Sequence, residues 1–275
     1  MENPHKYSVE QMLEMAKEIR RDIVKMTHAA GSGHPGGSLS ATELMVALYF
    51  SVLRYDPKDV KNSDRDFFIL SKGHVTPVFY SILAESGHFD KEMLLTFRKF
   101  GSPLQGHPAK DKLPGVEVGT GSLGQGLSIA SGIALAAKSN NEDTRVFALL
   151  GDGESQEGQI WEAVMTAAHY KLDNLTALYD YNNLQIDGTV EEVMGMAPVK
   201  EKWEAFNWNT IECDGHDMED VLRAYDEAIN FRAKPSVIIA KTHKGKGVSY
   251  MEDVAGWHGR APNDEELEIA LKELA

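Results

Sequence analysis

RVFALLGDG (145–153) and LTALYDYNN (175–183) are the two stretches whose reading decides the fold of this chain. Each is a short apolar run of β-type residues that stops at small polar residues, the pattern of a strand buried on both faces in a parallel sheet. Strands are therefore expected over 145–150 and 175–181. Between them Ile160, Trp161, Val164, Ala167 and Ala168 recur at helical spacing. A strand, helix, strand unit has a right-handed crossover and parallel strands. Asp152, after the first strand, and Asn182, after the second, then emerge at one sheet edge. Open α/β sheets bind ligands just beyond the carboxyl ends of their strands, and Gly151 and Gly153 allow close backbone approach to phosphate oxygens. A hard divalent cation there would find one carboxylate, one amide oxygen, a nearby backbone carbonyl, two phosphate oxygens and a water, about six ligands.

The remaining chain alternates in the same way. Helices are expected over 9–27, 42–53, 75–83, 127–138, 218–231 and 265–274, and further strands over 67–70, 210–213 and 236–240. Alternation of this kind predicts an α/β fold: a doubly wound, mainly parallel sheet with helices on both faces. At 275 residues, with no linker, repeat or low-complexity tract, the chain is expected to form a single domain over 1–275. Residues 186–205 are poorly periodic and read as a connecting segment. Lys241 to Lys246 (KTHKGK) reads as a solvated turn or, alternatively, a mobile lid over bound phosphate.

A GDG turn followed about thirty residues later by Asn resembles the fingerprint of thiamine diphosphate enzymes. Four further segments make the chain similar, over nearly its whole length, to the N-terminal, diphosphate-binding part of transketolases. These are SGHPGGSL (32–39) with His34, SKGH (71–74) with His74, QGHP (105–108) with His107 leading into LPGVEVGTGSLGQG (113–126), and GWHGRAPN (256–263) with His258. Taken alone, the first is a helix-breaking turn. The glycine loop ends at a helix N-terminus, whose free N–H groups favour an anion.

The resemblance implies a transferase that moves a two-carbon ketol unit from a ketose phosphate to an aldose, with xylulose 5-phosphate and ribose 5-phosphate as default substrates. Thiamine diphosphate would be the electron sink and Mg2+ its metal, with Ca2+ or Mn2+ as substitutes. By the same resemblance Asp152, Asn182 and the Leu184 carbonyl hold the metal. His34 and His258 face the donor oxygens and serve proton abstraction from the C3 hydroxyl, and His107 contacts the C1 hydroxyl. An imidazole titrates near enough to neutrality for such work. His74 and His258 sit near the diphosphate, and Gly121, Ser122, Leu123, Gly151 and Gly153 line the cofactor. Glu157 and Glu162 resemble glutamates that link paired active sites; as first-turn acids they also suit a helix dipole. Ser122 stands where many transketolases carry proline, and Tyr181 where an acid often precedes the metal Asn.

Transketolases also need a pyrimidine-binding domain, which supplies the glutamate that activates the cofactor. The expectation is therefore a split enzyme, completed by a C-terminal transketolase subunit, in a dimer or heterotetramer. The alternatives are a deoxyxylulose-phosphate synthase half and a non-catalytic assembly subunit. Net charge −14 and the absence of a basic stripe argue against nucleic acid. No apolar run approaches about twenty residues, and the single cysteine, Cys213, excludes an internal disulfide. A cytoplasmic location, without a membrane, is the expectation.

Overall fold

Ser8 and Gln11 form a capping box at the start of the first helix, α1 (Val9–Ala30), and Gly31, in the left-handed region at φ 60°, ends it. A computed structural model describes residues 1–275. After α1 the chain runs through α2 (Pro35–Ser40), α3 (Thr42–Ala47), which passes into a π turn at Leu48–Val52, β1 (Phe67–Leu70), α4 (Thr76–Glu85) and α5 (Gln125–Ser139). Next come β2 (Val146–Gly151), α6 (Gly158–His169), β3 (Leu175–Tyr181) and a small hairpin of β4 (Leu184–Gln185) and β5 (Gly188–Thr189). The chain closes with α7 (Val190–Met194), α8 (Val199–Ala205), β6 (Asn209–Asp214), α9 (Met218–Asn230), β7 (Ser236–Lys241) and α10 (Asp264–Glu273).

The main sheet has the order β1-β2-β3-β7-β6, and every neighbouring pair is parallel. Strand alternation divides the core in two. Phe147, Leu149, Leu178, Ile238 and Ala240 join the cluster with α1, α3, α4 and α9. Val146, Ala148, Leu150, Ala177, Tyr179, Val237 and Ile239 face α5, α6 and α8. The mainly parallel, doubly wound architecture is the one the strand and helix alternation predicts.

Two local readings change. The expected connecting segment over 186–205 contains the β4–β5 hairpin, α7 and α8. The hairpin is short, and α7 is only five residues long, held by a Thr189–Glu192 capping box; neither is long enough to show a period. The single helix expected over 42–53 is instead α3 followed by the π turn. No helix is long and apolar enough to cross a membrane.

The topology selects one position on the sheet edge. From β1 through β3 the chain steps in one direction. It then skips a place to β6 and returns to β7, so β3 and β7 are neighbours whose connections diverge. The segment after β3 leads to α8 on one face, and the segment after β7 leads to α10 against α1 on the other. Such a switch point opens a crevice at the strand ends.

Candidate active site

A cavity of about 380 Å3 lies at that switch point, above the carboxyl ends of β2, β3 and β7. His34, His74, Gly121, Leu123, Gly151, Asp152, Gly153, Glu157, Asn182, Leu184 and His258 line it. Three predicted residues do not. His107 is exposed at the rim, with its ring centroid 6.5 Å from that of His34. Ser122 is exposed beside the cavity, and Glu162 lies in a separate groove between α5 and α6. Glu157 is exposed at the cavity edge, and neither glutamate bonds to another residue's side chain within this chain.

Asp152 is 2% exposed. Its carboxylate accepts from the backbone N–H groups of Gly153 (2.8 Å) and Asn183, and no cationic side chain pairs with it. Burial, reinforced by the nearby charge of Asp180, pushes its pKa up to about 7. Asn182 Nδ2 donates to Asp180 at 3.2 Å, which turns Oδ1 away from Asp180 to accept from the Leu184 N–H. The Leu184 carbonyl accepts from Lys244 Nζ at 3.3 Å. Oxygens of three kinds thus line one cavity, one of them a buried carboxylate short of positive charge, and this set fits a hard divalent cation.

The same cavity holds a cation short of negative charge. Lys244 is 2% exposed, and burial lowers its pKa to about 8. It has no carboxylate partner; Nζ meets the Leu184 carbonyl and, at 3.0 Å, His258 Nδ1. Gly36 packs its backbone against the Lys244 stem, and the Gly245 N–H donates to the Gly36 carbonyl at 2.9 Å. The 241–246 segment is therefore pinned to α2 rather than a solvated turn. A buried carboxylate without a cation and a buried ammonium without an anion, both lining one cavity, fit a metal ion together with a diphosphate.

The histidines form a cluster of edge-on and tilted rings at one end. Ring centroids of His34 lie 5.2 Å from His74 and 5.3 Å from His258, and His74 lies 5.0 Å from His258. Burial comes first in lowering all three: His34 to about 4, with Arg98 adding to it, His258 to about 3, with Lys244 adding to it, and His74 well below its ordinary value. All three are neutral at pH 7.

Residues outside the sequence prediction hold the loops together. Asp180, fully buried at the end of β3, accepts from Lys72 Nζ, Ser40, Thr242 and Asn182. Burial alone would raise its pKa, but Lys72 and the hydroxyls keep it below the ordinary range. The acid expected at Tyr181 is thus met one residue earlier, on the inward face of the strand. Glu154, 3% exposed, accepts from Ser71 (2.6 Å), the Gly124 N–H (3.0 Å) and the Gly151 N–H (3.1 Å). One carboxylate ties the SKGH turn, the glycine loop and the GDG turn. A charged residue inside an otherwise apolar or Gly-rich stretch is the only sequence signal these residues give.

Residues 11–275 match the family described as transketolase, thiamine diphosphate binding domain. The chain belongs to the transketolase family. It is 44% identical, over 99% of both chains, to one of the subunits of the apulose-4-phosphate transketolase of Actinobacillus succinogenes. It is 40% identical, over 94% of each, to the 6-deoxy-6-sulfo-D-fructose transketolase subunit SqwG of Clostridium sp.. Human transketolase is 40% identical over 98% of this chain, which spans 43% of that longer protein. The crystal structure of Campylobacter jejuni transketolase superposes with TM-score 0.92 at 34% identity, over 98% of this chain and 43% of that one. The chain thus spans less than half of these full-length transketolases.

Proposed function

We propose that this chain is the diphosphate-binding subunit of a split transketolase, folded as one domain over residues 1–275, and that it works with a second polypeptide carrying the pyrimidine-binding domain. The reaction is transfer of a two-carbon ketol group from a ketose phosphate to an aldose. The observation that carries the reading is that Asp152, a buried carboxylate without a cation, and Lys244, a buried ammonium without an anion, line one cavity at the sheet's switch point. Near full-length similarity to proteins named as subunits supports the split arrangement.

Asp152, Asn182 and the Leu184 carbonyl would hold Mg2+. Lys244, His74 and the Gly121 and Gly153 backbone would face the diphosphate, with Leu123 against the cofactor's ring. Bound thiamine diphosphate supplies an electron sink for cleavage of the carbon–carbon bond. His34 and His258 orient the donor oxygens and exchange a proton at the C3 hydroxyl, and His107 reaches the C1 hydroxyl from the rim. The neutral state of the imidazoles before binding suits that exchange. A diphosphate held near His258 and His74 would raise their affinity for protons, because it would place negative charge next to the imidazolium form.

The test is calorimetry of thiamine diphosphate binding with and without Mg2+, on this chain alone and with a co-expressed candidate partner. Mg2+-dependent binding supports the reading, and absence of binding in every arrangement refutes it. Turnover is then compared for xylulose 5-phosphate with ribose 5-phosphate, for apulose 4-phosphate and for 6-deoxy-6-sulfo-D-fructose. The last two are drawn from the relatives' names. Full turnover by the isolated chain would refute the split-subunit part.

A further inference from the structure

Arg98 is built into the site in a way that the transfer reaction does not use. It is a non-glycine residue in the left-handed region, at φ 57°, a conformation that a long side chain keeps only where its surroundings hold it. Its N–H donates to the Leu104 carbonyl at 2.9 Å. The guanidinium lies against the backbone of Gly106, where an added Cβ would come within 2.9 Å of Nη2. Nη1 donates to Ser32 Oγ at 2.7 Å, and Nη2 meets His34 Nδ1 at 3.4 Å. No carboxylate pairs with it.

The contact with His34 has a chemical consequence. A guanidinium carries only donors and stays protonated throughout the working pH range. Nδ1 of His34 must therefore accept. In the neutral ring the proton then resides on Nε2, which points toward Gly259 beside His258. Placing a proton on Nδ1 would set it against Nη2–H. Histidine tautomers are fixed in this way by the partner of the other ring nitrogen. Besides Arg98, the charged or titratable groups that face His34 are His74, His107, Lys244 and His258. None of them offers Nδ1 an acceptor.

We propose that Arg98 is a positioning residue that locks His34 in the neutral, Nε2-protonated form, so that His34 meets the donor sugar as a hydrogen-bond donor and not as the base. The inference rests on the transketolase reading for its substrate; it keeps His34 on the donor oxygens and replaces its share in the proton exchange. Proton abstraction falls to another group. A neutral imidazole that donates polarises a substrate oxygen without needing to gain a proton.

The test is nitrogen NMR on the full chain labelled with 15N histidine, with the His34 signals assigned by their loss in His34→Gln. The expected spectrum has Nδ1 bare and Nε2 protonated between about pH 6 and 9. In Arg98→Met the Nδ1-protonated form should appear, and the His34 titration midpoint should rise by about one pH unit. Ser32→Ala, which frees only Nη1, should move both readouts the same way by less, and it stands in if Arg98→Met does not fold. Wild-type His34 protonated on Nδ1, or a tautomer unchanged in the folded Arg98→Met variant, would overturn the proposal. The spectra need neither cofactor nor partner, so they fail or succeed separately from the thiamine diphosphate calorimetry.

Discussion

Asp180 lies opposite Gly151 in the β2–β3 register, one residue from Asp152, yet the two carboxylates are stabilised by opposite means. Asp180 is saturated by an ammonium, two hydroxyls and an amide, whereas Asp152 has only two backbone N–H groups. One acid holds the floor of the cavity together and the other is left poised for a ligand. That division, and similar asymmetries elsewhere in the molecule, can be measured.

Asp152→Asn should remove binding and raise the stability of the ligand-free chain. The folded pKa near 7 lies above the ordinary 3.8, so the folded state binds more protons than the unfolded state between these values. Stability is therefore lost as pH rises from about 4 to 7, and the cost persists above that. Thermal unfolding at pH 8 should show the variant more stable by about 1–2 kcal/mol without ligand, and unresponsive to Mg2+ with thiamine diphosphate. A variant that kept the ligand-induced shift would remove Asp152 from the metal site.

Lys72→Met should destabilise the chain by about 3–5 kcal/mol, because it leaves the Asp180 charge buried without its ammonium. The double variant Lys72→Met with Asp180→Leu should recover at least part of that loss. Urea unfolding of the three proteins checks this. Equal and additive losses would mean that the pair is not coupled.

Acid should unfold the site early. His34, His74 and His258 all have folded pKa values below 6.5, so the unfolded state binds more protons once pH falls under that value. Stability is fully present above about pH 6.5 and is lost as pH falls toward the folded values. Replacing His74 by Gln should flatten the decline between about pH 6.5 and 5 in urea titrations; an unchanged slope would show that other groups drive it.

Asp22 on α1 shares the ammonium of Lys91 with Glu18 and Glu85. Burial pushes Asp22 up to about 7, while Glu18, more exposed and closest to the lysine, is held at about 2. Asp22→Asn should stabilise the chain by about 1 kcal/mol at pH 8, with the gain shrinking below pH 7 and vanishing below about pH 4. A thermal-shift series over pH reads it directly. Destabilisation at pH 8 would mean that the Lys91 contact outweighs the burial of the charge.

What the sequence determined was what lies within one strand, helix, strand unit or one short motif. The apolar runs before GDG and NN made two parallel strands, and their fixed handedness brought Asp152 and Asn182 to one edge. Glycine turns placed His34, His74 and His258 in loops, where a resemblance could identify them. The tertiary structure alone decided how those loops meet. Glu154, Lys72 and Asp180 each join segments far apart in the chain, and nothing in a local pattern of polarity separates a buried charge from a solvated one. Lys244 read as part of a solvated turn or a lid because its neighbours are polar; it is buried because Gly36 lets α2 pack against its stem. The order β1-β2-β3-β7-β6 was equally out of reach, since local periodicity does not say which strands become neighbours. That order sets the crevice between β3 and β7, where the unpaired charges of Asp152 and Lys244 face one cavity.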